Sequence, residues 1–226
     1  MTDAKAGSNA EPAFVTPSPV LAADVLTDDV EVWLVRHGET EWSVSGQHTG
    51  TTDIPLTDTG RRQAEALRDV VAGLDPALVL SSPRARALET ARLAGLDVDE
   101  TTEDLGEWRY GDYEGITTDE IRRTVPDWTV WTHGCPGGES PAEVSTRADR
   151  VLSRIGPRLA HGPVVLVGHG HFSRALGARW IGLPIGGGAN LLLGTAAPSV
   201  LAAQYATPTL RHWNLPNPAE TKPRSS

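Results

Sequence analysis

Two short runs of the chain end in the same way, and that repetition constrains the fold more than any other feature. Glu31-Val-Trp-Leu-Val35 leads into Arg36-His37-Gly38, and Pro163-Val-Val-Leu-Val167 leads into Gly168-His169-Gly170. Short, continuous, β-branched apolar runs suit strands buried on both faces, which is how strands of parallel sheets read. Ala77 to Leu80, ending at Ser81-Ser82-Pro83, is a third such strand. Helical spacing fills the intervals. Ala64, Leu67, Val71 and Leu74 define one face of a helix expected from Asp58 to Leu74, and further helices are expected over Arg84 to Leu93 and His171 to Trp180. Thr117 and Glu120 have the spacing of a capping box, starting a short helix that ends near Pro126. Ser140, Pro141 and Glu143 give a stronger start signal for a helix to about Ala160. Weaker strand signals lie at Ala189 to Thr195, Val200 to Tyr205 and Leu210 to Trp213.

Strands alternating with helices predict an α/β fold of three layers, a mainly parallel sheet with helices on both faces, and a site at the carboxyl ends of the strands. Both histidines would then face one crevice. Residues 1–29 and 215–226 are rich in Pro, Ala and polar residues and read as flexible tails, so the domain is expected over 30–214.

Composition narrows the partners. The chain carries 29 acidic and 20 basic residues, a net charge of -9, so no general attraction to nucleic acid or to an anionic membrane is expected, and any phosphate site must be local. Cys135 is the single cysteine, which excludes an intrachain disulfide and a thiolate metal cluster. With no basic start followed by an apolar run at residues 1–20, a cytoplasmic protein is expected. The acids fall into none of the spacings of zinc-protease helices or EF-hands, and Gly168-His169-Gly170 lacks the third glycine of a dinucleotide loop, so neither a metal nor another cofactor is expected.

Arg36 and His37 put a fixed positive fork beside an imidazole at a strand end, and Gly38 would let backbone N–H groups approach an anion. Phosphate is the natural ligand. Arg84 and Arg86 begin a helix; being two residues apart they do not share a face, so one turns inward. The loop from Leu105 to Gly115 offers a proton donor in Glu107, but Asp104, Asp112 and Glu114 are equal rivals on the residues alone. Trp128 and Trp131 either frame a substrate mouth or pack against helices, and Cys135 is expected to be inert.

The strings VRHGETEWS, GQHTGTTDIPLTDTGRRQAEAL, SSPRARALETA, LGEWRYGDYEG, WTHGCPGGES and VGHGHFSRAL together resemble the histidine phosphatase superfamily, which includes phosphoglycerate-mutase-like enzymes. The resemblance covers nearly all of residues 31–213 and is greatest to an actinobacterial acid phosphatase branch, more distant to sedoheptulose-bisphosphatase-like enzymes. It implies a metal-independent phosphomonoesterase acting on small phosphorylated metabolites. His37 would be the phosphorylated nucleophile, Arg36, Arg86 and a protonated His169 the phosphoryl-binding groups, and Glu107 the general acid. Gly38, Glu39, Thr40, Ser43, Thr49, Gly50 and Gly170 would contact substrate. Gln47, His48, Trp108, Arg109, Tyr110 and His171 are candidates for specificity.

Mutase-like members carry arginine directly after the catalytic glutamate and asparagine where this chain has Ser43 and His171, so hydrolysis is expected over isomerisation. Phosphoglycerate mutase activity is the alternative within the enzymes, and a non-catalytic phosphate-binding scaffold the alternative outside them. A homodimer is left open. A mildly acidic optimum is expected, because the reaction needs a protonated Glu107 together with a neutral His37.

Overall fold

The computed structural model describes residue 21 and residues 25–221. A six-stranded sheet forms the middle layer, built from β1 (Glu31–Arg36), β2 (Leu78–Ser81), β3 (Glu100–Thr101), β4 (Val164–Gly168), β5 (Pro198–Gln204) and β6 (Thr207–His212). Their order across the sheet is β3-β2-β4-β1-β5-β6. The first four run parallel, while β5 and β6 add an antiparallel edge. This is the α/β architecture that the alternating pattern predicts.

The helices are α1 (Glu41–Ser45), α2 (Asp58–Ala66), α3 (Arg68–Val71), α4 (Ala85–Ala94), α5 (Thr118–Arg122), α6 (Val130–His133), α7 (Pro141–Ile155), α8 (Gly170–Trp180) and α9 (Pro218–Thr221). The two-residue alternation of strands divides the core. Val32, Leu34, Val164 and Leu166 pack with Val151, Ile155, Phe172 and Trp180 on the α7–α8 face. Val35, Val79, Val165 and Val167 pack with Leu67, Val71, Ala87 and Ala91 on the face covered by α2, α3 and α4. At roughly 1.5–3 kcal/mol per fully buried aliphatic side chain, these two layers hold the sheet rigid beneath the strand ends.

Several expected elements differ. The single helix expected over residues 58–74 breaks at Leu67, which closes α2 and precedes α3. The α7 helix stops at Ile155, because Gly156-Pro157 comes next and proline cannot continue an α-helical ladder; a 3₁₀ segment, Gly156–His161, completes the span. No strand forms over 189–195: Ile185–Asn190 is a 3₁₀ segment carrying three consecutive glycines, and the sheet position beside β1 is taken by β5. The two-residue edge strand β3 and the short α6 gave no periodic signal.

Within the described parts of the tails, Leu21 and Leu26 are buried with the α7 core and Asn217 is 1% exposed. The rest of the 1–29 and 215–226 tail assignments, at 1–20, 22–24 and 222–226, lies outside the described residues. Among the described residues no helix is long and apolar enough to cross a membrane.

Candidate active site

Parallel pairing of β1 with β4 aligns Arg36 with Gly168, so the next residue of each strand is a histidine. His37 and His169 consequently meet, with ring centroids 5.2 Å apart and planes at 63°. Two identical strand endings become one site through register alone. Arg36 joins them from the last position of β1, and its Nη1 donates to the Leu193 carbonyl at 2.6 Å.

His37 Nδ1 lies 2.7 Å from the Gly38 carbonyl. A carbonyl can only accept, so Nδ1 carries the proton and Nε2 holds the free lone pair. Burial, together with the Arg36 and Arg86 charges, holds His37 well below the usual imidazole range, overcoming the opposite pull of the Gly38 carbonyl. The ring is therefore uncharged at neutral pH and remains so below the usual histidine value.

His169 is fully buried. Its Nδ1 accepts from Arg86 Nε at 3.2 Å, and its Nε2 lies 2.8 Å from Ser82 Oγ. Burial, then the Arg86 and Arg36 guanidiniums nearby, pushes it well below the usual value. With no phosphoryl group beside it, burial and the two guanidiniums favour the neutral imidazole.

Arg86, not Arg84, turns inward. It is 0% exposed, whereas Arg84 reaches across to Glu103 at 2.7 Å. Arg86 spends its other donors on carbonyls of the approach loop, with Nη1 on Thr52 and Nη2 on Thr49 and Gly50.

Glu107 is the acid that reaches the cavity. It is 8% exposed, with Oε1 accepting from Trp108 N and Phe172 N and Oε2 from His171 N, the last two at the start of α8. Two donors occupy Oε1 and one occupies Oε2, so Oε2 is the oxygen with capacity left for a proton. The rivals are engaged elsewhere: Asp104 with Arg150, and Glu114 with the Gly50 and Thr52 backbone. Asp112 lies against the Gly137 turn.

A cavity of about 220 Å³ opens over Arg36, His37 and Glu107. Ser43, Gln47, His48, Thr49, Tyr110, Gly170 and His171 also line it. Arg86, His169, Gly38, Glu39, Thr40, Gly50, Trp108 and Arg109 are not part of its lining, although each was placed among the phosphoryl-binding, contact or specificity residues. Gly38 N–H is committed to Thr90 Oγ1 and Glu39 N–H to Gln63 Oε1, so neither amide is free for an anion. What Gly38 supplies is close approach, since a Cβ there would collide with the Gly60 carbonyl. Thr40 caps α1 in a reciprocal box with Ser43, and Gly50 offers its carbonyl to Arg86. Trp108 is wholly buried with Nε1 on the Glu139 carbonyl, and Arg109 points outward to pair with Glu139 at 3.7 Å.

Beyond the His37 end the cavity has an aromatic wall. His48 stacks on Tyr110 at 4.5 Å, and the Tyr110 hydroxyl lies 2.7 Å from His171 Nδ1. Trp128 and Trp131 are buried behind this wall, edge-on to His48 and His171, so they support the mouth and do not frame it. Burial lowers His48 to about 4 and His171 well below the usual value, leaving both uncharged at neutral pH. Arg174, which the sequence pattern did not single out, supplies the charge of this wall: it lines the cavity with its guanidinium 4.9 Å over the Trp131 ring. Its place five residues past His169 on α8 was the available signal, since a helix beginning at the site carries its second turn along the cavity. Burial pushes the Cys135 thiol up to about 12, in keeping with an inert residue.

Residues 32–216 match the family model of the histidine phosphatase superfamily, branch 1. The chain belongs to that superfamily. It is 49% identical over 174 residues to an acid phosphatase of Mycobacterium tuberculosis, covering 76% of this chain and 86% of the relative. It is 34% identical over 183 residues to a sedoheptulose 1,7-bisphosphatase of Saccharomyces cerevisiae, covering 67% and 68%. A 2,3-bisphosphoglycerate-dependent phosphoglycerate mutase of Gloeobacter violaceus also matches, 34% identical over 157 residues, covering 63% and 72%. Among solved structures, that of an open reading frame product of M. tuberculosis superposes with a TM-score of 0.82 at 45% identity, covering 84% of this chain and 99% of that one.

Proposed function

We propose that this histidine phosphatase superfamily member hydrolyses phosphomonoesters of small metabolites through a phosphohistidine at His37, without a metal. One observation carries the reading: a single cavity brings together an uncharged His37 with Nε2 free, the Arg36 guanidinium and the Glu107 carboxyl group. In the first step the Nε2 lone pair attacks phosphorus in line and the ester P–O bond breaks. A proton on Glu107 Oε2 passes to the leaving alkoxide. In the second, water attacks the phosphohistidine, Glu107 takes its proton, and His37 leaves as the neutral imidazole.

Arg36 and Arg86 offset the charge that spreads over the transferring phosphoryl oxygens. An oxygen reaching Arg86 replaces loop carbonyls as its acceptor, so phosphate binding also adjusts the Thr49–Thr52 loop. His169, neutral in the free protein, becomes easier to protonate as a phosphoryl dianion arrives beside it. Every residue in this scheme comes from one chain, so it requires no second copy. A cytoplasmic setting belongs to the same proposal.

Isomerisation is the weaker reading. A mutase must hold a substrate carboxylate away from the phosphate, and Arg109, the residue suited to that by sequence, is paired outside the cavity. The deciding experiment incubates chelator-treated protein with an aryl phosphate, a panel of sugar phosphates, and 3-phosphoglycerate with 2,3-bisphosphoglycerate, measuring free phosphate and isomers together. Phosphate release that is lost by at least about a thousandfold in His37→Asn is expected. Rapid isomer formation with little phosphate would establish the mutase, and binding with no turnover of any ester would establish a scaffold.

A further inference from the structure

The loop that carries His37 is closed into a ring of hydrogen bonds by a residue from the far end of the chain. The His37 carbonyl accepts from Ala196 N at 3.1 Å. The Ala196 carbonyl accepts from Asn217 Nδ2 at 2.8 Å, and the same amide nitrogen donates to the Gln63 carbonyl at 3.0 Å. Gln63 then returns to the loop, its Oε1 accepting from Glu39 N at 2.9 Å. Asn217 is 1% exposed and Gln63 4% exposed, so water does not compete for these bonds.

Asn217 is itself fixed. Its Oδ1 accepts from Ala219 N at 2.9 Å, which aims the two hydrogens of Nδ2 at the two carbonyls. Glu220, one turn on, accepts from Gln63 Nε2 at 3.1 Å. Further restraints on the loop come from the Gln63 side: Thr57 N bonds the Glu39 carbonyl, and Gly60 packs so tightly on Glu39 that a Cβ would collide. Asn217 links that side, through Gln63, to Ala196 on the other.

We propose that Asn217 is a positioning residue for the nucleophile: the C-terminal segment 215–220 clasps the backbone on both sides of Gly38 and sets where His37 Nε2 points. This rests on the reading of His37 as nucleophile. A misplacement of about 1 Å can cost on the order of a hundredfold in a step that needs in-line approach, so loss of the clasp acts on the chemical step more than on binding.

The test uses the full chain with an aryl phosphate, following single-turnover formation of the phosphoenzyme, steady-state kcat and KM, and Tm. Asn217→Ala should slow phosphoenzyme formation by about tenfold with KM changed by less than about twofold. Gln63→Leu, which removes the bond to Glu39 N, should do the same. Because both act through one ring, the double variant should be little slower than the slower single one. Ile155→Val, a core change remote from the ring, should lower Tm and leave the rate alone. An Asn217→Ala protein that loses Tm but keeps its rate overturns the proposal, as do additive effects in the double variant. If Asn217→Ala does not fold, Gln63→Leu decides on the same readouts. His37→Asn separates the two readings: turnover that survives it refutes the nucleophile, whereas turnover that requires His37 but ignores Asn217 refutes the clasp alone.

Discussion

The two ends of the cavity are built on different principles. At the phosphate end, Arg36, His37 and His169 sit at or just beyond the last residues of adjacent parallel strands, and Arg86 begins a helix behind them. Their places are set by strand register and by a core packed on both faces of the sheet. At the other end, His48, Tyr110, His171 and Arg174 come from two loops and a helix; the first three hold one another by ring contacts and one hydrogen bond, and Arg174 lies over Trp131 and donates to the Gly188 and Ala189 carbonyls. The first end leaves little room for variation without loss of the sheet. At the second end Tyr110 belongs to the core, while His48, His171 and Arg174 line the cavity, and we propose that the strand ends carry the chemistry and the wall the preference.

Glu107 stands between the two, and its replacement should have the largest effect after that of His37. Glu107→Gln keeps the size of the side chain but cannot release and recover a proton, so kcat should fall by about a hundredfold or more. The fall should be smaller for aryl phosphates, whose leaving groups need less protonation than alkyl ones. An equal fall for both ester types would remove Glu107 from the general-acid role and place it with the wall.

Arg174 tests the wall alone. Arg174→Ala should raise KM by about tenfold for substrates bearing a second anionic group, and by less than about twofold for a simple aryl phosphate, with kcat nearly constant. A uniform loss over all esters would mean that Arg174 serves the phosphate end, and the division between the two ends would fail.

The smallest effect concerns pH. His48 falls to about 4 in the folded chain against 6.5 for an ordinary histidine. Below pH 6.5 the unfolded chain takes up a proton that the folded one refuses, so stability contributed by the neutral ring is lost as pH drops from 6.5 towards 4. His37, His169 and His171 are lowered in the same direction and add to the loss. Tm should therefore fall through that window, and His48→Phe, which preserves a ring against Tyr110, should flatten the fall. The lowered His37 also keeps the proposed nucleophile neutral in mild acid, in the direction of the acidic optimum expected from the sequence. A flat Tm between pH 6.5 and 4 would show that the wall histidines are solvated.

By itself the sequence determined the α/β class, the convergence of His37 with His169 and, with the family pattern, the preference for Arg86 over Arg84 and for Glu107 over its rivals. The first two were legible because they rest on periodicity and on the residues just past the end of a strand, both local properties, whereas Arg86 and Glu107 were singled out by the resemblance alone. Tertiary structure alone decided which groups the cavity exposes. Gly38 and Glu39, read as anion-binding backbone, give their N–H groups to Thr90 and Gln63, partners 52 and 24 residues away. Charge states were equally out of reach: His169 is neutral because burial and two neighbouring guanidiniums outweigh its intrinsic basicity, and no stretch of sequence records a desolvation cost. Arg174 and Asn217 lay in a helix and in an apparent tail, and only packing brings the first to the cavity and the second beneath the loop that carries His37. Strand and helix patterns are written in neighbouring residues, whereas hydrogen-bond closure and burial depend on segments that meet only when the chain has folded.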